Sequence, residues 1–146
     1  MTDPAELVRR FYADVWNRAD EDAARTLLDR GFRFRGSLGP ERVGPDGFID
    51  YMRSVHAALS GYTCTIEDIV TSTDPASGLG RAAARMRFAG IHRAPFFGIE
   101  ATGREIVWAG AAFFATGPRT LRSLWVLGDV DAVKQQLGAD GSNTLA

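Results

Sequence analysis

The strand-like segment that ends at His92 places an imidazole among apolar side chains. Residues two apart on a strand point to the same side of a sheet. Met86 and Phe88 share that side with His92, whereas Arg87 points the other way. The alternation predicts that His92 faces the apolar interior. Two other interpretations stay open, namely a buried histidine bonded to a main-chain carbonyl and a solvated residue of the turn at 93–95.

A carboxyl group closes the last strand-like segment. Asp129 has the same parity as Trp125 and Leu127 and the opposite parity to Arg122. If that strand contains no bulge, Asp129 lies on the apolar face with Trp125. Partial removal from water would make its carboxylate a stronger base, as proton abstraction from carbon requires. The alternative is that Asp129 caps a helix beginning at Val130 by accepting main-chain N–H bonds.

Aromatic side chains that could line a binding pocket are spread along the chain. They are Tyr12, Trp16, Tyr51, Phe88, Phe97, Trp108 and Trp125. A small apolar ligand, such as a flat polycyclic molecule, would pack against rings of this kind. Aromatic residues at these spacings are more often core residues, and that alternative stays open. The sequence contains no nucleophile elbow, phosphate-binding loop, dinucleotide fingerprint or HExxH motif.

Helical patterns dominate the first part of the chain and would position these groups. Asp3 before Pro4 predicts the start of a first helix that ends near Asn17. Asp20 predicts the cap of a short second helix. A third, amphipathic helix is predicted over 44–61, where apolar residues recur at helical spacing.

The pattern changes to strands beyond the first helices. A short strand over 31–36 is predicted to lie at a sheet edge, and a last helical turn or two is predicted over 129–137. Longer strand-like runs, joined by short turns that favour an antiparallel meander, are predicted at 62–73, 79–93, 104–116 and 119–128. Helices followed by such strands indicate an α+β domain in which helices cover one face of a curved sheet.

Composition limits the remaining classes of protein. The chain has 146 residues, of which 45% are hydrophobic, which predicts one domain over 1–138 with a flexible tail over 139–146. A formal net charge of −1 argues against nucleic acid and membrane surfaces as partners. One cysteine and two histidines favour neither a disulfide nor a metal site. With no signal peptide and no long apolar run, we expect a cytoplasmic protein.

Two segments resemble a known family, the SnoaL-like polyketide (ester) cyclases of the nuclear transport factor 2-like superfamily. They are Ile91–Arg104, IHRAPFFGIEATGR, and Leu124–Asp129, LWVLGD. The resemblance implies a cone-shaped α+β barrel with a curved, mostly antiparallel sheet wrapped around N-terminal helices. It also implies that Asp129 removes a proton from a carbon flanked by two carbonyls and that His92 donates a hydrogen bond to a substrate oxygen. The resulting enolate would close a ring by aldol addition, without a cofactor.

Three hypotheses about function follow. The first is this cyclase or a related proton abstraction on a polyketide-like ester. The second is a ketosteroid-isomerase-like or epoxide-opening enzyme, which needs an inward donor such as Tyr12, Tyr51 or Asp68. The third is a small-molecule-binding or dimerising module without catalysis. The resemblance also implies a homodimer that pairs through the outer sheet faces, and the chain shows one apolar strand face, formed by Val107, Ala109, Ala111 and Phe113.

Overall fold

Three helices begin at aspartate side chains in the computed structural model, which describes residues 2–37 and 39–138. Asp3 accepts from the main chain at the start of α1 (Pro4–Arg10), and Asp20 does so at α2 (Glu21–Leu27). Asp129 caps α4 (Val130–Leu137) in the same way. Each cap satisfies a main-chain N–H that would otherwise have no partner in the first helical turn. The caps predicted at Asp3 and Asp20 are therefore confirmed.

The first helix widens in its second half. Phe11–Trp16 forms a π-helix that continues α1, and the N–H of Asn17 bonds to the carbonyl of Tyr12 at 2.8 Å. The predicted end of this helix near Asn17 is correct. The wider turn buries Phe11, Tyr12, Val15 and Trp16 together.

The third helix, α3 (Gly44–Ala58), begins at Gly44, which has a φ of +81°. That left-handed conformation suits glycine and turns the chain into the helix. Phe48, Met52 and Val55 form its buried side. This side packs on the same core as the π-helix, with the Phe11 and Phe48 rings 5.3 Å apart.

Six strands form one sheet, and their bounds are β1 Leu28–Arg35, β2 Arg42–Val43, β3 Leu59–Thr73, β4 Gly80–His92, β5 Glu105–Thr116 and β6 Leu121–Gly128. Their order across the sheet is β2-β1-β6-β5-β4-β3. The β1 and β6 strands pair in parallel, and all other pairs are antiparallel. Helices that cover one face of a curved, mostly antiparallel sheet confirm the predicted α+β class.

The prediction that the short strand β1 lies at the sheet edge is wrong. The two-residue strand β2 pairs with it on one side, with Arg33 opposite Val43. The last strand, β6, pairs with it on the other side, with Phe34 opposite Leu124. Sequence periodicity does not reveal the pairing of β1 with β6, because these two strands lie far apart along the chain.

A β-bulge reverses the expected faces of β6. Ala115 lies opposite Ser123, but the next residue, Thr116, lies opposite Leu121, so Arg122 is an extra residue. A single extra residue moves every later side chain to the other face of the sheet. The expectation that Trp125 faces the apolar interior is therefore wrong. Its side chain is 44% exposed on the outer face.

Two further observations bear on the predicted organisation. Among the residues that the structure describes, no helix is long and apolar enough to span a bilayer. The flexible tail predicted over 139–146 lies outside the described residues.

Candidate functional site

The cavity between the helices and the inner sheet face is narrow and mostly aromatic. Its volume is about 40 Å³, room for only a few water molecules. Its walls are Tyr12, Trp16, Phe34, Gly36, Ser37, Tyr51, Val55, Tyr62, Phe88, Trp108, Leu124 and Val126. The structure thus brings together Tyr12, Trp16, Tyr51, Phe88 and Trp108 from the set proposed on sequence grounds.

The rings of the cavity wall hold one another in place. Trp16 meets Tyr62 edge to face at a centroid distance of 5.2 Å. Tyr62 stacks on Phe88 at 6.4 Å, and Phe88 tilts against Trp108 at 5.4 Å. Aromatic pairs of this geometry stabilise a fold beyond the area they bury. The π-helix, β3, β4 and β5 therefore form a rigid side of the cavity.

Three phenol groups supply most of the cavity's hydrogen-bonding capacity, and they are the only tyrosines of the chain. Burial raises the pKa of Tyr12 and of Tyr62, and the nearby Cys64 thiol adds to both increases. Burial also raises the pKa of Tyr51, against the opposing charge of Arg42. All three hydroxyls are therefore protonated at neutral pH and can donate to a ligand oxygen.

The Tyr51 side chain lies over a glycine at the cavity wall. A β-carbon on Gly36 would be 2.9 Å from Oη of Tyr51, which is closer than a normal contact. The ring of Tyr51 packs against Phe34 at a centroid distance of 4.9 Å. The Arg42 guanidinium lies 5.6 Å from the centroid of the same ring, within the range of a cation–π interaction. Only a residue without a side chain fits beneath this tyrosine.

One corner of the cavity is closed by a main-chain hydrogen bond. The N–H of Gly128, the last residue of β6, donates to Oγ of Ser37 at 2.6 Å. A β-carbon on Gly128 would lie 3.2 Å from Nε1 of Trp108. The end of β6 therefore reaches the cavity at Gly128, one residue before Asp129.

The structure places Asp129 outside this cavity. Its carboxylate Oδ1 accepts from the N–H of Ala132 at 3.0 Å, in an exposed position. Its own N–H donates to the carbonyl of Ala109. Asp129 therefore caps α4, the alternative considered from the sequence.

His92 is fully buried but is not part of the cavity wall. Its position on the inner face, with Met86 and Phe88, agrees with the predicted strand alternation. Nδ1 lies 3.0 Å from Oγ1 of Thr102 and accepts from the Thr102 N–H at 3.1 Å. Nε2 has no hydrogen-bond partner among the described residues. The imidazole thus anchors the segment after β4, and the structure does not bring it together with Asp129.

Three other candidates lie away from the cavity. Trp125 is on the outer face, where its ring is 5.9 Å from that of Phe113. Asp68 is exposed and accepts from the N–H of Ile69 at 2.9 Å. Phe97 is 36% exposed in a turn with a φ of +52°, and Lys134 lies 5.5 Å from its ring.

Sequence reasoning missed part of the cavity wall. Tyr62 begins the alternating buried run of β3, so its parity with Cys64 could have identified it. Leu124 and Val126 face inward only because of the β6 bulge. Ser37 lies in a loop, where no periodic pattern exists to predict its direction.

Metal ligands do not converge within residues 2–37 and 39–138. No three His, Cys, Asp or Glu side chains there lie close enough together to bind a metal ion. The described cavity therefore offers a ligand protonated phenols, one serine hydroxyl and aromatic surfaces.

Helices inside a curved sheet, with one aromatic cavity between them, define a protein of the nuclear transport factor 2-like fold. The chain belongs to the SnoaL-like polyketide cyclase family, whose model matches residues 6–137. No curated protein matches the chain.

Solved structures share this fold over almost the whole chain. TsrD from Streptomyces laurentii is 25% identical, with 95% of this chain and 99% of that chain covered and a TM-score of 0.78. A SnoaL-like protein from Jannaschia sp. CCS1 is 17% identical, with 95% and 97% covered and a TM-score of 0.80. A protein from Catenulispora acidiphila with a ketosteroid isomerase-like fold is 16% identical, with 99% and 100% covered and a TM-score of 0.77.

Proposed function

We propose that the cavity binds a small, flat, mainly apolar molecule that carries a carbonyl or hydroxyl oxygen. The observation that carries this proposal is the convergence of Tyr12, Tyr51 and Tyr62 on one aromatic cavity. No hydrogen bond joins the Tyr12 or Tyr51 hydroxyl to any residue that the structure describes, whereas the Tyr62 hydroxyl lies within reach of the Cys64 thiol. One hydrogen bond contributes about 1 kcal/mol, so a ligand oxygen that accepts from these phenols gains binding energy.

The experiment compares two ligands that differ in one oxygen, 2-acetonaphthone and 2-ethylnaphthalene. The ketone is expected to bind about tenfold more tightly, since one well-made hydrogen bond contributes roughly 1 kcal/mol or more. Tyr12→Phe and Tyr62→Phe should each remove most of that preference while leaving the affinity for the hydrocarbon unchanged. Equal affinities for the two ligands in the wild-type protein would overturn the proposal. Trp125→Phe, on the outer face, is the matched control.

A cyclase-type proton abstraction by Asp129 is the second candidate. It is favoured by the family and by the position of Asp129 directly after Gly128, which reaches the cavity. The phenols would then stabilise the developing enolate oxygen, and the α-carbon of that enolate would add to a ketone of the same substrate. The capping bond and the exposure of Asp129 favour binding over this reaction.

An isotope-exchange measurement separates the two candidates. Ethyl benzoylacetate has a carbon between two carbonyls, and its exchange of hydrogen for deuterium can be followed by NMR. A base at Asp129 would accelerate exchange above the buffer rate, and Asp129→Asn would abolish that acceleration. Asparagine caps a helix as well as aspartate does, so the variant keeps its fold. If hydrogen exchange of the ester proceeds at the same rate with the wild-type protein and with the variant, Asp129 is not a base.

An isomerase-like enzyme is supported less well. The inward hydroxyl donors that it needs are present at Tyr12 and Tyr51. Its general base is not, because no carboxylate lines the cavity in the described part of the chain. The third proposed donor, Asp68, lies at the exposed surface.

We further propose that two copies of the chain pair through the outer sheet face. Phe113 and Trp125 are 49% and 44% exposed there, and Leu127 is 55% exposed. A contiguous exposed apolar surface of this kind is typical of an interface. Light scattering should give the mass of a dimer for the wild-type protein and of a monomer for Phe113→Arg. The control is Val43→Arg, at the sheet edge, and a monomeric wild-type protein would contradict the proposal.

A further inference from the structure

A second cavity lies directly beside the first. It is an open groove of about 320 Å³ between α3 and the turn that follows β4. Phe96 and Phe97 form one side, and Arg42 contributes a charged group. Tyr51 and Val55 line both this groove and the inner cavity. The two spaces are therefore separated by a wall to which Tyr51 contributes an aromatic side chain.

The inner cavity is too small for an aromatic ligand as it stands. Its volume of about 40 Å³ compares with roughly 300–1,000 Å³ for typical small-molecule sites. A ligand must therefore move part of the wall. Tyr12 and Trp16 are at most 5% exposed within the core, whereas Tyr51 packs against the edge of the core and is partly exposed. Tyr51 is therefore the most exposed aromatic residue of the cavity wall.

The charge at Arg42 is not balanced by a neighbouring acid. Glu41, the adjacent residue, pairs with Arg33 at 2.8 Å. Ion pairs are also formed by Arg25, Arg53 and Arg85. Within residues 2–37 and 39–138, the Arg42 guanidinium has no ion pair or hydrogen bond, and its recorded contact is the Tyr51 ring.

A guanidinium beside apolar walls can bind the carboxylate end of a molecule whose remainder is apolar. Arginine binds a carboxylate through two parallel hydrogen bonds, and these are stronger where water is excluded. The neighbouring Phe96 is 9% exposed, and Val55 is 4% exposed. The groove therefore combines one cation with surfaces that favour an apolar body.

We propose that the groove and the inner cavity form one continuous binding site for a flat aromatic carboxylic acid, with Tyr51 as the gate between them. The inference rests on the proposed binding function and adds the ligand class and the route of entry. The carboxylate binds Arg42 in the groove, and the ring system occupies the inner cavity after Tyr51 has turned aside. The tyrosine hydroxyls then contact oxygens on the buried part of the ligand.

The first test uses 2-naphthoic acid and its uncharged methyl ester. The wild-type protein should bind the acid at least about tenfold more tightly than the ester, as a charge-assisted bond contributes roughly 1.5–3 kcal/mol. Arg42→Gln should remove this preference without weakening the ester, and Arg42→Lys should restore part of it. Arg122→Gln, on β6, is the control for charge alone. Equal binding of acid and ester, or an unchanged preference in Arg42→Gln, would overturn the acid site.

These outcomes are distinct from failure of the proposed binding function. If the ester still binds and Tyr12→Phe still weakens the ketone 2-acetonaphthone, the cavity binds ligands but has no acid subsite. If neither ester nor ketone binds, both proposals fail.

The second test addresses the gate. Association of 2-naphthoic acid can be followed by stopped-flow fluorescence, because Trp16 and Trp108 line the inner cavity. Tyr51→Ala should raise the association rate about fivefold or more by removing the moving side chain. Gly36→Ala places a β-carbon against the Tyr51 hydroxyl and should also change the rate. Gly39→Ala is the matched control, since its β-carbon would meet no atom within 4 Å. Unchanged rates in Tyr51→Ala would overturn the gate.

Discussion

The main-chain N–H of Thr102 donates a hydrogen bond of 3.1 Å to Nδ1 of His92. A nitrogen that accepts from an N–H carries no proton, so the neutral ring must carry its proton on Nε2. The Thr102 hydroxyl, which accepts from the N–H of Arg104 at 3.2 Å, lies 3.0 Å from the same Nδ1 and competes with the main-chain N–H for its one lone pair. The segment after β4 is thus fixed to a fully buried ring through Thr102.

We therefore expect NMR to show the Nε2-protonated tautomer of His92. Two-bond ¹H–¹⁵N correlations distinguish the two ring nitrogens, and a protonated Nδ1 in the neutral ring would contradict the geometry. Thr102→Val should reduce the free energy of unfolding by about 1 kcal/mol, because the Arg104 N–H loses its hydroxyl acceptor and the hydroxyl contact with Nδ1 is lost. Thr65→Val, on the exposed face of β3, is the control and should have little effect.

Asp129 should contribute to stability through its cap. Asp129→Ala removes the acceptor for the Ala132 N–H and should cost about 1 kcal/mol of unfolding free energy in urea. Asp129→Asn should cost only a few tenths, because an amide oxygen accepts the same bond. A negligible loss in Asp129→Ala would show that the cap contributes nothing.

The three tyrosines should titrate abnormally. Burial raises the pKa of Tyr12, Tyr62 and Tyr51, so the folded protein retains three phenolic protons above the ordinary tyrosine pKa of about 10. The unfolded chain releases these protons there, so stability falls as the pH rises above that value. Near-ultraviolet absorbance should show tyrosinate only on unfolding. Tyrosinate absorbance in the still-folded protein near the ordinary pKa would contradict this prediction.

Gly110 should tolerate no side chain. A β-carbon there would lie 2.6 Å from Cε2 of Phe88, a residue of the cavity wall. Gly110→Ala is expected to cost about 1–3 kcal/mol, the usual range for overpacking, and to weaken ligand binding by displacing Phe88. Gly117→Ala is the matched control, since its nearest contact would be an ordinary 3.5 Å to Arg122. Equal stabilities of the two variants, measured by thermal unfolding, would refute the close approach.

Local signals in the sequence were sufficient for much of the fold. The caps at Asp3 and Asp20 depend on residues only two or three positions away. The face of His92 followed from parity, because β4 pairs with β5 in continuous register up to Ile91. The α+β class followed from the order of helical and strand-like patterns.

Features that depend on distant pairing were not predictable. The extra residue at Arg122 is defined by its mismatch with β5, and it reverses the direction of Trp125. The groove at Arg42 depends on the pairing of β2 with β1 and on the contact between Arg42 and the Tyr51 ring. For Asp129, both interpretations were consistent with the sequence, and only the hydrogen bond to Ala132 distinguishes them.

The π-helix has an evolutionary consequence. A π-helical turn holds one residue more than an α-helical turn, and such turns often occur at functional sites. Each residue of a π-helix turns through a smaller angle than a residue of an α-helix, so deleting one residue between Tyr12 and Trp16 would restore an ordinary α-helical turn and leave the two rings at nearly the same relative direction. The widened turn is therefore a place where the first helix can gain or lose a single residue without any substitution in the cavity wall.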